Sequence, residues 1–368
     1  MTRKPLKRLE TGLPAAWYRD SAHYERELEA FWYGRWIAVA REEEIVSPGD
    51  WRVVSIGTQK IVLLKNEKRQ LKAFHNTCRH RGSILCAKDQ GHFERDRIVC
   101  PYHSWTYDLS GRLVATPRRM ETPDFDMKKF PLHGVQLESW GGFVFVRIDK
   151  KSTSLKSETA SLQKAFKNHK FENLNIGKRI VVDVRANWKL LAENFSECFH
   201  CPPVHPELCR VVTAYREAGA WGLRGTESMP EFKAGAQTLT VDGKARLPAF
   251  KSLSEQERRR IYVPAMLPPN LFLNVQPDYV NSHLMFPIGP QSVRIVYDWL
   301  FDPAHLPSGA DLEHYTALWE ITNAQDARNC EWQQQGLQSR AFKHGVYVPQ
   351  EFDCHRFAQW VRAGLRKK

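Results

Sequence analysis

Two short strings constrain this chain of 368 residues more than any other feature: Cys78-Arg79-His80 and Cys100-Pro101-Tyr102-His103. Each offers one thiolate and one imidazole, and nineteen residues separate His80 from Cys100. A [2Fe–2S] cluster with two thiolates on one iron and two imidazoles on the other needs two loops of this mixed kind, each straddling the cluster. Zinc also accepts two cysteines and two histidines at tetrahedral positions, but familiar zinc spacings group Cys with Cys and His with His. The mixed order therefore favours the cluster. Imidazoles are neutral donors and raise the reduction potential above that of an all-thiolate cluster, so such a centre takes electrons readily from a low-potential donor.

The surrounding sequence supplies the β structure that such loops require. After a helix expected over Ala22–Arg41 come the short strands WRVVSI and KIVLLK, separated by the Gly57–Gln59 turn, and then QLKAF. Further strands are expected at Trp105–Asp108 and Arg112–Val114, joined through Ser110–Gly111, and Gly142–Val146 closes the unit. The polar stretch Lys150–Glu158 (KKSTSLKSE) is expected to be an exposed connector between domains. Beyond it lie a strand at Arg179–Val184, a helix opening near Asn187, strands at Leu271–Val275, Tyr279–Phe286 and Val293–Phe301, and helix from Asp311 to Gln338. The expected organisation is an N-terminal helical segment over 1–42, an antiparallel β domain over 43–149, and an α+β domain with an antiparallel sheet over 150–368.

At 42% hydrophobic residues the chain can bury two cores without staples, and its eight cysteines are too sparse for a disulfide scaffold. Cys86, Cys198, Cys201, Cys209, Cys330 and Cys354 are expected to be small buried hydrophobes. No run of 18 apolar residues and no charged, apolar leader is present, so the expectation is a cytoplasmic protein that does not enter a membrane. A net charge of +13 suits an acidic protein partner, and without a recognition motif it does not argue for nucleic acid.

A second constellation lies in NWKLLAENFSECFHCPPVHPEL (Asn187–Leu208). An amphipathic helix is expected to deliver His200, and the Cys201–Val204 turn returns His205 toward it. Two histidines and one carboxylate on one face of Fe(II) leave positions open for O₂ and substrate, although two histidines five residues apart are weak evidence alone. Glu197 stands three residues before His200, which on a helix puts both side chains on one face.

Both constellations carry a family resemblance. CRHRGSILC (Cys78–Cys86) and CPYHSWTYDLSGRL (Cys100–Leu113) resemble the Rieske domains of ring-hydroxylating oxygenase α subunits, and NWK-x₃-EN-x₂-E-x-(F/Y)-H-x₄-H resembles their catalytic domain. The resemblance implies a β-rich Rieske domain followed by a helix-grip (START-like) catalytic domain. Cys78, His80, Cys100 and His103 then bind the Rieske [2Fe–2S] cluster, and His200 and His205 bind a mononuclear Fe(II). For the third iron ligand it points to Asp326 in ITNAQDARNCEWQQQGLQS (Ile321–Ser339), ahead of the ending Gln335–Ser339, with Glu331 as the alternative. In the family the acid at Glu197 links an iron-site histidine to a cluster histidine, here His80 or His103, across a subunit boundary. Asn194 matches an asparagine near the iron, for which a structural role is equally open.

The resemblance also implies a homotrimer that takes a small-molecule substrate and O₂. Electrons would come from NAD(P)H through a separate reductase carrying FMN or FAD and a [2Fe–2S] cluster, since no G-x-G-x-x-G fingerprint is evident. The wording around Glu197 looks closer to the choline, carnitine and glycine-betaine oxygenases than to naphthalene-type dioxygenases. That favours mono-oxygenation or oxidative N-demethylation, with Phe195, Tyr279, Tyr297 and Trp299 as candidates for a cation–π pocket. Hydroxylation of an aromatic ring is the alternative within the class, and a pure electron-transfer Rieske protein is the alternative outside it.

Overall fold

The computed structural model describes residues 5–149, 153–219, 232–259 and 263–366. They form two compact units, one spanning Trp32–Glu158 and the other combining the described parts of Met1–Phe31 and Thr159–Lys368.

The Trp32–Glu158 unit is antiparallel throughout. Strands Leu71–His75, Gln59–Lys65, Asp50–Ile56 and Gln90–His92 form one sheet in that order, and Arg97–Val99, Thr106–Asp108 and Leu113–Ala115 form another. Their shared core gathers Val62, Leu64, Phe74, Trp105 and Tyr107 around Cys78 and Cys100. Gly111 adopts φ +84° in the turn after Asp108, and a Cβ there would come within 2.5 Å of the Phe74 ring, so both backbone and space demand glycine.

The helix expected over Ala22–Arg41 is shorter. It covers Ser21–Glu27, with the Asp20 carboxylate accepting from the His23 backbone N–H at 2.7 Å, and ends in a π turn at Leu28–Trp32. Ile37–Arg41 is instead a strand of five buried residues paired with Phe143–Arg147, which itself pairs with Gln136–Trp140. That pairing draws the residues after Phe31 into the β unit, so the first division falls at 31/32 where the sequence suggested 42/43. The second falls at 158/159 where it suggested 149/150. Of the expected connector, residues 150–152 lie outside the described residues. The remainder is anchored: Leu155 is buried, and Thr153 O accepts from Trp36 Nε1 at 2.8 Å.

In the other unit a five-stranded antiparallel sheet runs in the order Asn175–Val184, Ser292–Phe301, Val280–Gly289, Leu271–Val275, Val263–Leu267. The long helix Gly309–Gly336 packs through Tyr315, Leu318 and Trp319, the last donating its indole N–H to Tyr279 Oη at 2.7 Å. A helix held against an antiparallel sheet is the expected α+β helix-grip arrangement. The helix Trp188–Phe195, here the site helix, is capped by Asn187, whose Oδ1 accepts from the Lys189 backbone N–H at 3.0 Å. It stops at Phe195, where Ser196 Oγ bonds back to Ala192 O at 2.6 Å.

The site helix is pinned by charge. Lys189 Nζ lies 2.6 Å from Glu27 Oε1, both side chains have no exposure, and Trp188 Nε1 donates to Glu27 Oε2 at 2.8 Å. Burial alone would raise the Glu27 carboxyl, but Lys189 and His23 outweigh it and hold it below its ordinary value. Lys189→Met should therefore cost about 3–5 kcal/mol in urea unfolding, because it strands Glu27 as a buried charge. A depressed folded-state pKa also means that this stabilisation is complete above the ordinary glutamate range and is lost as pH falls through it. Lys189→Met should flatten that acid limb.

Candidate metal centres

The first centre rests on two hairpin loops. In one, Cys78 N–H donates to Ser83 O at 2.8 Å and Gly82 N–H to Cys78 O at 3.0 Å. In the other, Cys100 N–H donates to Trp105 O at 2.8 Å and Ser104 N–H to Cys100 O at 3.0 Å. Asn76 ties down the first loop, its Oδ1 accepting from the backbone N–H groups of Leu85 and Cys86 at 3.0 and 2.9 Å. The Cys78 thiol lies within hydrogen-bonding reach of Cys100, and burial pushes it up. Tyr107 Oη sits 3.3 Å from Cys78 Sγ.

The two imidazoles form a second pair, with Nδ1 atoms 3.1 Å apart. His80 stacks on Trp105 with ring centroids 4.8 Å apart. Both cysteines are buried and both histidines exposed. Among the described residues, no three of these four donor atoms converge closely enough to share one ion. Two separated pairs, thiol with thiol and imidazole with imidazole, fit a two-iron cluster and do not fit tetrahedral zinc.

The second centre does converge. His200 Nε2 and His205 Nε2 lie 3.4 and 2.9 Å from Asp326 Oδ1, and these three residues are the one such cluster among the described residues. Donor atoms about 3 Å apart are what neighbouring positions around an ion with bonds of about 2.1 Å require. Burial lowers His200, but hydrogen bonds that its ring donates to the Asp326 and Glu197 carboxylates outweigh it and push the ring up to about 10. Burial would raise Asp326, yet its two imidazole partners hold it well below the carboxylate range. A cation placed among the three would take over the proton's role in this arrangement.

The supporting contacts differ from expectation in detail. His200 is not on the helix, which ends five residues earlier. Glu197 still reaches it, because the turn Ser196–His200 folds back: Glu197 Oε1 lies 2.5 Å from His200 Nδ1, and Oε2 accepts from the backbone N–H groups of Phe199 and His200. Asn194 Nδ2 donates to Asp326 Oδ1 at 3.0 Å and lies 3.3 Å from His200 Nε2. Gln325 Oε1 sits 2.8 Å from His205 Nδ1, orienting that ring, a contact the sequence did not flag. Glu331, the alternative carboxylate, points elsewhere and pairs with Arg185. Of the six remaining cysteines, five are buried as expected, and Cys198 is partly exposed.

A small cavity of about 40 Å³ adjoins Asp326, walled by Phe195, Phe272, His283, Tyr297 and Asn323. Phe195 also walls a larger cavity of about 370 Å³. Of the four aromatics singled out by sequence, Phe195 and Tyr297 reach the small cavity. Tyr279 and Trp299 do not: both are fully buried, with Tyr279 Oη donating to Leu239 O at 2.6 Å. His283 and Phe272 were missed, since a lone histidine or phenylalanine in a strand carries no spacing signal. Burial keeps the His283 ring neutral, down at about 3, and no Lys or Arg is among the described lining residues.

A β domain holding paired cysteines and paired histidines, with an α+β domain holding two histidines and an aspartate, defines an iron-dependent oxygenase of two centres. The Rieske [2Fe-2S] domain description matches residues 35–131, and the ring hydroxylating alpha subunit (catalytic domain) description matches 171–367. The chain belongs to that ring-hydroxylating α-subunit family, as a Rieske oxygenase whose cofactors are a [2Fe–2S] cluster and a mononuclear iron. It is 27% identical to the glycine betaine monooxygenase oxygenase subunit of Pseudomonas aeruginosa strain UCBPP-PA14, over 95% of this chain and 87% of that one. Its fold matches the quaternary ammonium Rieske monooxygenase CntA in complex with L-carnitine, with a TM-score of 0.73, 21% identity and coverage of 96% of both chains. It also matches naphthalene 1,2-dioxygenase from Rhodococcus sp., with a TM-score of 0.72, 18% identity and coverage of 96% and 94%.

Substitutions should separate the two centres in iron analysis and EPR. Cys100→Ser should remove the cluster signal, and Asp326→Ala should keep that signal while losing the mononuclear iron. Gln325→Ala should weaken the iron about 10–100-fold. Glu331→Gln should leave both centres intact.

Proposed function

We propose that this chain is the oxygenase component of a system that mono-oxygenates or oxidatively N-demethylates a small quaternary ammonium compound. The observation that carries this reading is the cavity beside Asp326. It is lined by the aromatic rings of Phe195, Phe272 and Tyr297, by a neutral His283 and by the aspartate, with no Lys or Arg among its described lining residues. Aromatic rings, themselves without hydrogen-bond acceptors, in a described lining that holds no competing cation, favour a cation that has no N–H to donate. The relatives named for glycine betaine and carnitine point the same way. Entry of such a substrate requires the Phe195 ring, which walls both cavities, to turn aside.

In this reading Cys78 and Cys100 hold one cluster iron, His80 and His103 hold the other, and His200, His205 and Asp326 hold the mononuclear iron. The two centres supply electron relay and O₂ activation respectively. Asn194 steadies Asp326 and His200, Gln325 orients His205, and the cavity walls orient the substrate and exclude water. Glu197 fixes the Nδ1–H of His200 and links it to His80 or His103 of a neighbouring copy in a homotrimer. Electrons come from NAD(P)H through a flavin and [2Fe–2S] reductase, and the setting is cytoplasmic. No described helix is long and apolar enough to cross a membrane.

Reductase-coupled product analysis against quaternary ammonium compounds and aromatic acids in parallel tests the substrate. Hydroxylated or demethylated product from the first set alone is expected, and ring hydroxylation alone overturns the reading. Glu197→Gln should retain both metal centres by iron analysis and EPR but lose turnover, whereas undiminished turnover would remove the bridging role.

A further inference from the structure

Beside the iron triad lies a buried acid that the centres themselves do not use. Glu193, on the site helix, is gripped from two other elements. Tyr18 Oη, in the 3₁₀ turn Ala15–Tyr18, donates to both carboxylate oxygens at 2.9 Å, and Tyr347 Oη, in the strand His344–Tyr347, donates to Oε1 at 2.7 Å. The acid and both phenols line a cavity of about 330 Å³ whose walls also include Glu197 and His200. The same cavity reaches the surface at Phe342 and Val346, which are 40% and 55% exposed. At about 10–15 Å³ for each water, it has room for a continuous chain from solvent to the Glu197–His200 pair.

The remaining groups around Glu193 set its charge balance. Lys189, on the same helix, attracts the carboxylate from its pairing with Glu27. Glu351 repels it, and Cys330, Cys354 and Tyr347 face it as neutral groups that burial first, and nearby acids including Glu193 second, hold in their protonated forms. Burial pushes Glu193 up to about 7 against the pull of Tyr347, Tyr18 and Lys189. Burial and Glu193 together keep both phenols well above their usual range, so they remain donors.

We propose that Glu193, cradled by Tyr18 and Tyr347, is a proton store that supplies the iron site through this cavity. The proposal rests on the oxygenase reading, in which substrate C–H, O₂, two electrons and two protons give C–OH and water. The electrons come from the reductase, and the protons must cross the protein. Glu193 releases its proton to the cavity, the two phenol O–H groups hold the carboxylate left behind, and solvent at the Phe342–Val346 mouth restores the proton. Glu193 acts by positioning a proton and does not touch substrate.

Infrared titration of the full-length protein reads this directly. A carboxylic acid C=O band with a midpoint near pH 7 is expected in the wild type. It should be absent in Glu193→Gln and moved to higher pH in Tyr347→Phe, which removes a donor to the carboxylate. In reductase-coupled turnover the store works when protonated, so the rate should fall above about pH 7. That limb should move up in Tyr347→Phe. In Glu193→Gln it should vanish with a loss of about tenfold or more, iron content being unchanged. A band that persists in Glu193→Gln, or wild-type pH profiles in both variants, overturns the proposal. Should Glu193→Gln not fold, the Tyr347→Phe shifts decide. The infrared band does not depend on turnover, so a failure to find quaternary ammonium products would overturn the substrate reading and not this one.

Discussion

Asp326 Oδ1 is the point on which the catalytic unit closes. His205 Nε2, Asn194 Nδ2 and His200 Nε2 reach that single oxygen at 2.9, 3.0 and 3.4 Å, yet Asp326 stands 121 residues after His205. Such convergence survives only if each contributing segment is immobile. Lys189 and Glu27 fix the helix that carries Asn194. The long helix that carries Asp326 is fixed by Trp319 on Tyr279 and by Tyr315, which donates to the buried Asp278 at 2.9 Å. These are buried polar contacts with satisfied partners, which favour one arrangement over near alternatives because any misplacement strands a charge.

The Rieske unit solves a different problem. Its thiol pair is buried and its imidazole pair exposed, so one side of the pair-of-pairs is shielded by Tyr107 and the loop held by Asn76, and the other is open apart from Trp105 stacked on His80. Neutral donors on the exposed side keep the potential higher than four thiolates would. Two loops suffice because each closes on itself through backbone hydrogen bonds within a hairpin, leaving little for the rest of the domain to specify beyond a core beneath the cysteines.

The sequence was most legible where chemistry is local. C-x-H and C-x-x-H place candidate cluster donors a few residues apart and could be read without knowing the fold, whereas H-x₄-H, bracketing a turn with two prolines, was read through the family resemblance of the string around it. Four of the five strands of the large sheet were legible for a similar reason, since period and β-branched composition are local, while the edge strand Val263–Leu267 was missed. Reading failed where a distant partner decides. Ile37–Arg41 continued a helical pattern until Phe143–Arg147 claimed it as a strand, and Tyr279 and Trp299 resembled pocket aromatics until packing buried them. His200 was expected on a helix that Ser196 terminates, although the contact with Glu197 formed through a turn instead.

By itself, then, the sequence offered Cys78, His80, Cys100 and His103 as candidate cluster donors, because each Cys–His couple lies within one short loop, and through the family resemblance it offered His200 and His205 as candidate iron ligands. Tertiary structure alone brought Asp326, which the resemblance had ranked first, to the histidines and turned Glu331, five residues further along the same helix, away from them. One faces the histidines and the other meets Arg185, a choice made by how the helix is rotated against the sheet. It alone revealed Glu193 between two tyrosines drawn from opposite ends of the chain, Tyr18 and Tyr347. A buried acid gains its partners, and hence its proton affinity, only when segments distant in sequence have packed around it.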